Sequence, residues 1–307
     1  MNKFSITYNQ YHNTTLVGDT NCMKFYFPND GLYNKLLINL NCDDKTRYQA
    51  TPTNKMDCLS LNFKNILPGH YKMLVFKQNS LLNSNYEFCF EVPIVVNQNN
   101  RMVEIEMSPV YDDNKCFYKM LKTDQGTLNN FKLIWSYGYD ERIVAKTKEI
   151  TYRCKNDYAK AMAIHDYVSE NIVYDMDSYY MCHYNNQSYN SSLYELSGVY
   201  KNKMAICEGF STLTCFMLRA TGIPAIKIHC HALGASTDGK WKNNTDSNHV
   251  FVGAFVDKRW ILIDPTWDCT HEYIDGKIKQ KRSFRRLYFD PTLEYISMTH
   301  KFCYVNN

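Results

Sequence analysis

The chain has 307 residues, of which 45% are hydrophobic and 15% aromatic, enough to bury a sizeable core and to favour two domains over one. Its 35 basic and 31 acidic residues give a net charge of +4 and are spread along the chain, without the long basic run of a nucleic-acid footprint. Twelve cysteines, about 4% of the chain, are scattered without a C-x-x-C pair, which argues against a disulfide-stapled scaffold and favours reduced thiols. The opening residues lack the apolar stretch of a secretory signal, and no run approaches 18 apolar residues. These features lead to the expectation of a cytoplasmic, non-membrane protein with no nucleic-acid partner.

Through about residue 108 short apolar runs alternate with turn clusters: "FSITYN", "MKFYFP", "KLLINLN", "LSLNF", "YKMLVFK", "YEFCFEVPIVV" and "RMVEIEM". Seven or so strands at regular spacing predict an antiparallel β-sandwich of immunoglobulin-like size over 1–110, although the region has no Trp and no paired cysteines around one. No clustered chemistry falls there, so support, substrate presentation or partner docking is its expected role. Residues 111–140, beginning with the turn-rich "SPVYDDNK", read as a transition, and 141–307 as the second domain. Helical periodicity is clear in "NDYAKAMAIHDYVSENI": Asn156 or Asp157 is the cap, and Tyr158, Ala161, Met162, Ile164, Val168 and Ile172 form the apolar face. His165 on that helix reads as a partly buried packing residue, and the Tyr- and Asn-rich 176–192 as a loop at a cleft rim.

"KMAICEGFSTLTCFMLRATGIPA", 203–225, places Cys207 at the start of an amphipathic helix that closes on Gly222 and Pro224. A cysteine in an apolar helix is most often a small buried hydrophobe, as expected for Cys215. At the first turn, however, unpaired backbone N–H groups and the helix dipole favour a thiolate. "AIKIHCHAL", "HVFVGAFV" and "RWILID" read as strands, the last two joined by a tight turn at Asp257 and Lys258. That hairpin brings His249 and Asp264 to the same end, where a carboxylate could fix the imidazole's tautomer and stabilise its charged form. A thiol, a base and an orienting acid are the parts of nucleophilic catalysis.

The segments "ICEGFSTLTCFMLRATGIPA" and "NHVFVGAFVDKRWILIDPTWD" together resemble the transglutaminase-like superfamily, especially its bacterial members, over about 141–307. The resemblance implies an α+β, papain-like core with a nucleophile helix packed on an antiparallel sheet. It also implies Cys207 as nucleophile, His249 as general base and acid, and Asp264 as third member. Implied activities are acyl transfers at peptide or protein amides through a thioester, with protease-like hydrolysis ahead of crosslinking. Two pairs depart from the family habit, Ala205-Ile206 before the cysteine and Val250-Phe251 after the histidine, and they bear on substrate shape. The backbone N–H of Cys207 is one expected oxyanion donor and Tyr174 a second, since related sequences carry an aromatic polar group there.

Trp267 is expected to line the cleft or shield the His–Asp pair from water, and Asp268 to act as a turn or supporting group. "HCH" at 229–231 puts two imidazoles on one strand face but lacks a second ligand pair, and no EF-hand loop occurs, so no metal or cofactor is expected. The basic run 277–286 reads as a solvated face. A non-catalytic peptide-binding module with the same fold is the alternative; an intact Cys, His and Asp set argues against it.

Overall fold

The computed structural model divides into two units, Met1–Ser108 with Arg282–Phe284 and Pro109–Lys281 with Arg285–Asn307. It describes residues 15–19, 22–26, 35–42, 45–50, 58–62, 67–78, 85–96, 103–105, 107–123, 138–185, 187–234, 240–241, 247–280 and 286–306.

In the first unit, β1 (Thr15–Asp19), β2 (Cys22–Tyr26), β3 (Lys35–Cys42), β4 (Lys45–Ala50), β5 (Cys58–Asn62), β6 (Gly69–Gln78), β7 (Glu87–Val96) and β8 (Val103–Ile105) form two antiparallel sheets. Their orders are β1-β2-β5 and β4-β3-β6-β7-β8. Period-2 alternation explains the larger sheet: Ile38 and Leu40, Tyr71, Met73 and Val75, and Val92, Ile94 and Val96 are all buried. Register aligns Leu40 with Met73 and Met73 with Val92, so one apolar row crosses three strands. The strand read at "FSITYN" lies outside the described residues. β1 and β4 have no expected counterpart. β4, "KTRYQA", has little apolar character and pairs only at the sheet edge, where its ladder with β3 rather than burial holds it.

The second unit is mixed α+β. Its helices are α1 (Tyr111–Thr123), α2 (Glu141–Thr151), α3 (Asp157–Asn171), α4 (Met176–Asn185), α5 (Leu196–Asn202), α6 (Cys207–Ala220), α7 (Pro265–Asp268) and α8 (Leu293–Ile296). Its strands are β9 (Val173–Asp175), β10 (Met204–Ala205), β11 (Ala225–Ala232), β12 (His249–Val256), β13 (Arg259–Ile263), β14 (His271–Ile274), β15 (Lys277–Gln280) and β16 (His300–Asn306). One sheet is antiparallel, β13-β12-β11-β16; the other, β10-β9-β14-β15, is mixed. No described helix is long and apolar enough to cross a membrane.

Helix α6 is the central element. Phe210, Leu213, Phe216, Met217 and Leu218 are buried, as are Val252 and Ala254 of β12 and Ile164 and Val168 of α3 in the same core. Gly222, at φ 82°, and Pro224 end α6 as the sequence predicts: Ile223 N–H donates to Leu218 O and Gly222 N–H to Arg219 O. Asn156 caps α3, its side chain accepting from Ala159 N–H at 2.8 Å.

Two stretches depart from the sequence reading. The transition at 111–140 holds helix α1, whose first turn carries Asp112 and Asp113 near the positive end of the helix dipole and whose Asn114 and Leu121 are buried. The expected loop at 176–192 holds helix α4. Asp175 caps it, accepting Ser178 N–H at 2.9 Å and Ser178 Oγ–H at 2.7 Å. Stacked rings at helical spacing extend it, Tyr179 on His183 and Tyr180 on Tyr184.

Candidate functional site

Cys207 is the first residue of α6, half-buried, with Ile206 in extended backbone at the cap. Its setting depends on the glycine two residues later. A Cβ on Gly209 would stand 2.1 Å from the Leu193 carbonyl oxygen, and that oxygen also receives Ile206 N–H at 3.2 Å. The first turn of α6 therefore lies against the backbone of 191–193, an approach only glycine permits. Glu208 extends to the buried Lys227 ammonium, which also donates to Thr212 Oγ1 at 2.7 Å. The acidic neighbour of the thiol is thus neutralised.

The hairpin forms as expected. Asp257 and Lys258 both take positive φ, 48° and 67°, and Val256 pairs with Arg259. The ladder ends at Val252 opposite Ile263, so Asp264 follows where position 251 would be its partner, one diagonal step from His249. Asp264 is the N-cap of α7, its Oδ1 accepting Thr266 N–H at 3.0 Å and Trp267 N–H at 3.2 Å. Its Oδ2 lies 2.6 Å from His249 Nε2. Cys207 lies near enough to His249 to act on the charge of its ring. His249 and Asp264 are thereby joined by a hydrogen bond, with Cys207 in the same neighbourhood.

Burial works against a charged His249, but the Asp264 carboxylate and Cys207 outweigh it and push the imidazole up to about 10. Burial would raise Asp264, yet His249 and then His300 hold its carboxyl well below the usual range. The site pairs a raised imidazole with a lowered carboxyl.

Tyr174, on β9, is buried, stacked on Phe210 at 6.1 Å and tilted against Tyr179. Burial raises its O–H well above the ordinary tyrosine value, and the nearby Cys207 adds to the rise, so it remains a neutral hydroxyl beside the thiol. Trp267 lies against both imidazoles, 6.1 Å from His249 and 4.6 Å from His300 between ring centroids.

His300, at the head of β16, is the residue that the sequence reading missed. It is fully buried, and its Nε2 stands 3.1 Å from Asp264 Oδ2. His249, Asp264 and His300 bring their donor atoms within 4.8 Å of one another, a grouping that a metal could exploit. The 2.6 Å contact is a hydrogen bond, whereas two donors on one tetrahedral ion would stand about 3.3 Å apart. The geometry is that of a hydrogen-bonded cluster.

His165 and Arg286 depart from the sequence reading, whereas Asp268 and Cys215 follow it. His165 is fully buried and bound at both nitrogens, to Asp268 at 3.1 Å and Asp166 at 3.2 Å, and so is more than a packing residue. Asp268 accepts Leu287 N–H at 2.9 Å and Tyr288 N–H at 2.8 Å, a supporting role. Within the basic run, β15 is exposed, but Arg286 is drawn into a two-bond pair with Asp166, at 2.9 and 2.5 Å; 281–285 lie outside the described residues. Of the "HCH" pair, His229 stacks on Tyr304 and His231 packs beside Trp241. Cys215 is core, its thiol pushed up to about 11 by burial.

The site lies in a mixed α+β unit that carries a helix-start thiol, an imidazole and a capping carboxylate. Within it, residues 144–265 match the family model of the Transglutaminase-like superfamily, a span that includes all three side chains. Solved structures similar to the chain include a TGase at 18% identity, covering 60% of this chain and 42% of that one, with a TM-score of 0.34. The transglutaminase of red sea bream is 14% identical, over 80% of this chain and 48% of that one, TM-score 0.32. The periplasmic domain of TgpA from Pseudomonas aeruginosa is 12% identical, over 77% and 88%, TM-score 0.33. The chain spans less than half the length of the first two. No curated protein sequence matches it.

Proposed function

We propose that the second unit is a papain-like cysteine enzyme that cleaves peptide or protein amides, with Cys207 as nucleophile, His249 as acid and base, and Asp264 as the group that orients His249. The observation that supports this reading is a 2.6 Å hydrogen bond from a buried carboxylate to an imidazole whose charge is influenced by a thiol at a helix start. The thiolate of Cys207 attacks the amide carbon, and the carbonyl electrons move to oxygen. The Cys207 N–H at the start of α6 and the Tyr174 O–H are the donors for that oxyanion. His249 then gives its proton to the leaving nitrogen, the C–N bond breaks, and a thioester remains. Water, deprotonated by His249, attacks the thioester; the C–S bond breaks, the acid leaves and the thiolate returns.

Water is taken as the acceptor ahead of an amine, because aminolysis needs a site that keeps water off the thioester until the amine arrives. Trp267 fits a role in covering the His249–Asp264 pair. We read the N-terminal sheets as an immunoglobulin-like sandwich that supports substrate or partner docking.

The test is iodoacetamide alkylation of Cys207 against pH, read by peptide mass spectrometry, with exposed Cys116 as internal reference. Cys207 should react fast down to about pH 6, and His249→Ala should remove that advantage. A Cys207 profile matching that of Cys116 in both proteins overturns the reading. With a cleavable peptide substrate in hand, Tyr174→Phe should cut turnover by about 10²-fold or more, while unchanged turnover removes Tyr174 from the mechanism.

A further inference from the structure

Asp264 has more partners than a base-orienting carboxylate requires. An ionised carboxylate offers about four lone-pair positions. Here Oδ1 takes two backbone N–H groups, of Thr266 and Trp267, and Oδ2 takes two imidazoles, His249 at 2.6 Å and His300 at 3.1 Å. The His300 ring sits 5.3 Å from that of His249. It is enclosed by Trp267, Phe251 and Tyr288, with ring centroids 4.6, 5.6 and 5.5 Å away. The titratable groups facing it are Asp264, His249 and the Tyr288 phenol.

The chemistry fixes which nitrogen of His300 carries hydrogen. A bare nitrogen lone pair against a carboxylate oxygen is repulsive, so Nε2 bears the proton and donates to Oδ2. Burial keeps the ring neutral, shifting His300 below its ordinary value against the pull of Asp264. Nδ1 is then an acceptor, and the Thr299 hydroxyl stands 2.8 Å from it. Thr299 Oγ1 also stands 3.2 Å from Tyr288 Oη and 3.4 Å from Ile296 O, so its hydroxyl is held in place beside His300.

The backbone of His300 is fixed separately. Buried Asn114 of α1 donates its Nδ2 to His300 O at 2.7 Å and to Ser297 Oγ at 2.9 Å, and its Oδ1 accepts Phe302 N–H at 2.7 Å. A helix from outside the matched segment thus anchors the strand that presents this imidazole.

We propose that His300 is a positioning residue for the Cys207 chemistry: as a neutral donor held by Thr299 and Asn114, it locks the Asp264 carboxylate in the orientation that serves His249. The proposal rests on the triad reading above. Without the donor, Oδ2 has one partner fewer in a dry site, and the carboxylate can turn away from the His249 line. A larger hydrophobe would fill the space but would not hold the oxygen.

The experiment compares the full chain in five forms, wild type, His249→Ala, His300→Leu, His300→Gln and Thr299→Val. Rates of Cys207 alkylation by iodoacetamide are followed from pH 5 to 9, and each thermal midpoint is recorded. His300→Leu should slow alkylation at pH 6 by about tenfold, moving the acid limb up by about one unit. His300→Gln, which places an N–H at similar reach, should recover most of that loss at the same thermal midpoint as Leu. Thr299→Val should shift the profile the same way by less, and it decides the matter if the leucine variant does not fold. Leu and Gln profiles that are alike, whether both normal or both slowed, overturn the donor role, and so does an unchanged Thr299→Val profile. If His249→Ala leaves Cys207 unaffected, the triad reading itself has failed, an outcome distinct from failure of His300 alone.

Discussion

Two buried carboxylate–imidazole pairs sit at opposite ends of the four-residue helix α7, and they differ in what else lies beside the ring. At the front, Asp264 holds His249 at 2.6 Å, and a half-buried thiol lies in the neighbourhood of the ring. At the back, Asp268 holds His165 at 3.1 Å, and the other nitrogen is taken by Asp166, itself bonded to Arg286. Both imidazoles are raised above their ordinary value; for both, burial opposes the shift and carboxylates win. A carboxylate on a histidine therefore does not by itself mark a reactive centre. The thiol beside His249, where His165 has a second carboxylate, makes the difference.

The largest expected effect comes from breaking the front pair. Asp264→Asn should reduce Cys207 reactivity at pH 6 by about 10²–10⁴-fold, because an amide can present an N–H to His249 and select the wrong tautomer. The same pair should also be visible in stability against pH. His249 is raised from 6.5 to about 10 on folding, so its contribution is complete below about pH 6.5 and is lost as pH climbs through 10. Asp264 is lowered, so its contribution is present above its unfolded value near 3.8 and is lost on acidification. The stability difference between wild type and His249→Gln should then be flat from about pH 4 to 6.5 and shrink above that, as followed by denaturant midpoints. A difference that grows with alkaline pH would have the wrong sign for this pair.

Breaking the back pair should separate stability from reactivity. Asp268→Ala strips His165 of one partner and leaves the N–H groups of Leu287 and Tyr288 buried without their acceptor. A loss of about 3–5 kcal/mol is expected in chemical denaturation. Under native conditions the Cys207 alkylation profile of the folded protein should be unchanged, and a shift comparable to that of Asp264→Asn would erase the distinction between the two ends.

The front of the site was legible because its parts are local. A cysteine opening an apolar helix, and a histidine and an aspartate at the shared end of a hairpin turning on Asp257 and Lys258, are placed by chain distance and period alone. His300 was not legible: it lies 36 residues beyond Asp264, and only the antiparallel pairing of β16 with β11 carries it to the carboxylate. Asn114 is further still, 186 residues from His300, in a stretch whose Pro and Asp residues suggested a break. Helix α4 was hidden for a different reason. Its Tyr and Asn content resembles a loop, and what stabilises it is the Asp175 cap and ring stacking along one face. In the N-terminal unit, alternation marked the strands with an apolar row, while β4, held by edge pairing, left little trace.

A smaller change tests how closely the front site depends on backbone approach. Gly209 sits two residues after Cys207, and a methyl group there would meet the Leu193 carbonyl oxygen at 2.1 Å, Val199 Cγ2 at 2.7 Å and Ala205 Cβ at 2.8 Å. The nearest obstacle is backbone, which cannot step aside as a flexible side chain would. Helix propensity alone would make Gly209→Ala favourable by roughly 0.5–1 kcal/mol. Overpacking of about 1–3 kcal/mol outweighs it, so a net loss of stability in urea is expected. The relief available to the chain is to move the first turn of α6 off Leu193, and Cys207 moves with that turn. Gly209→Ala should therefore slow Cys207 alkylation as well as lower stability, whereas Asp268→Ala lowers stability alone. An alanine variant of wild-type stability and wild-type Cys207 reactivity would show that the approach of α6 to residues 191–193 does not set the position of the thiol.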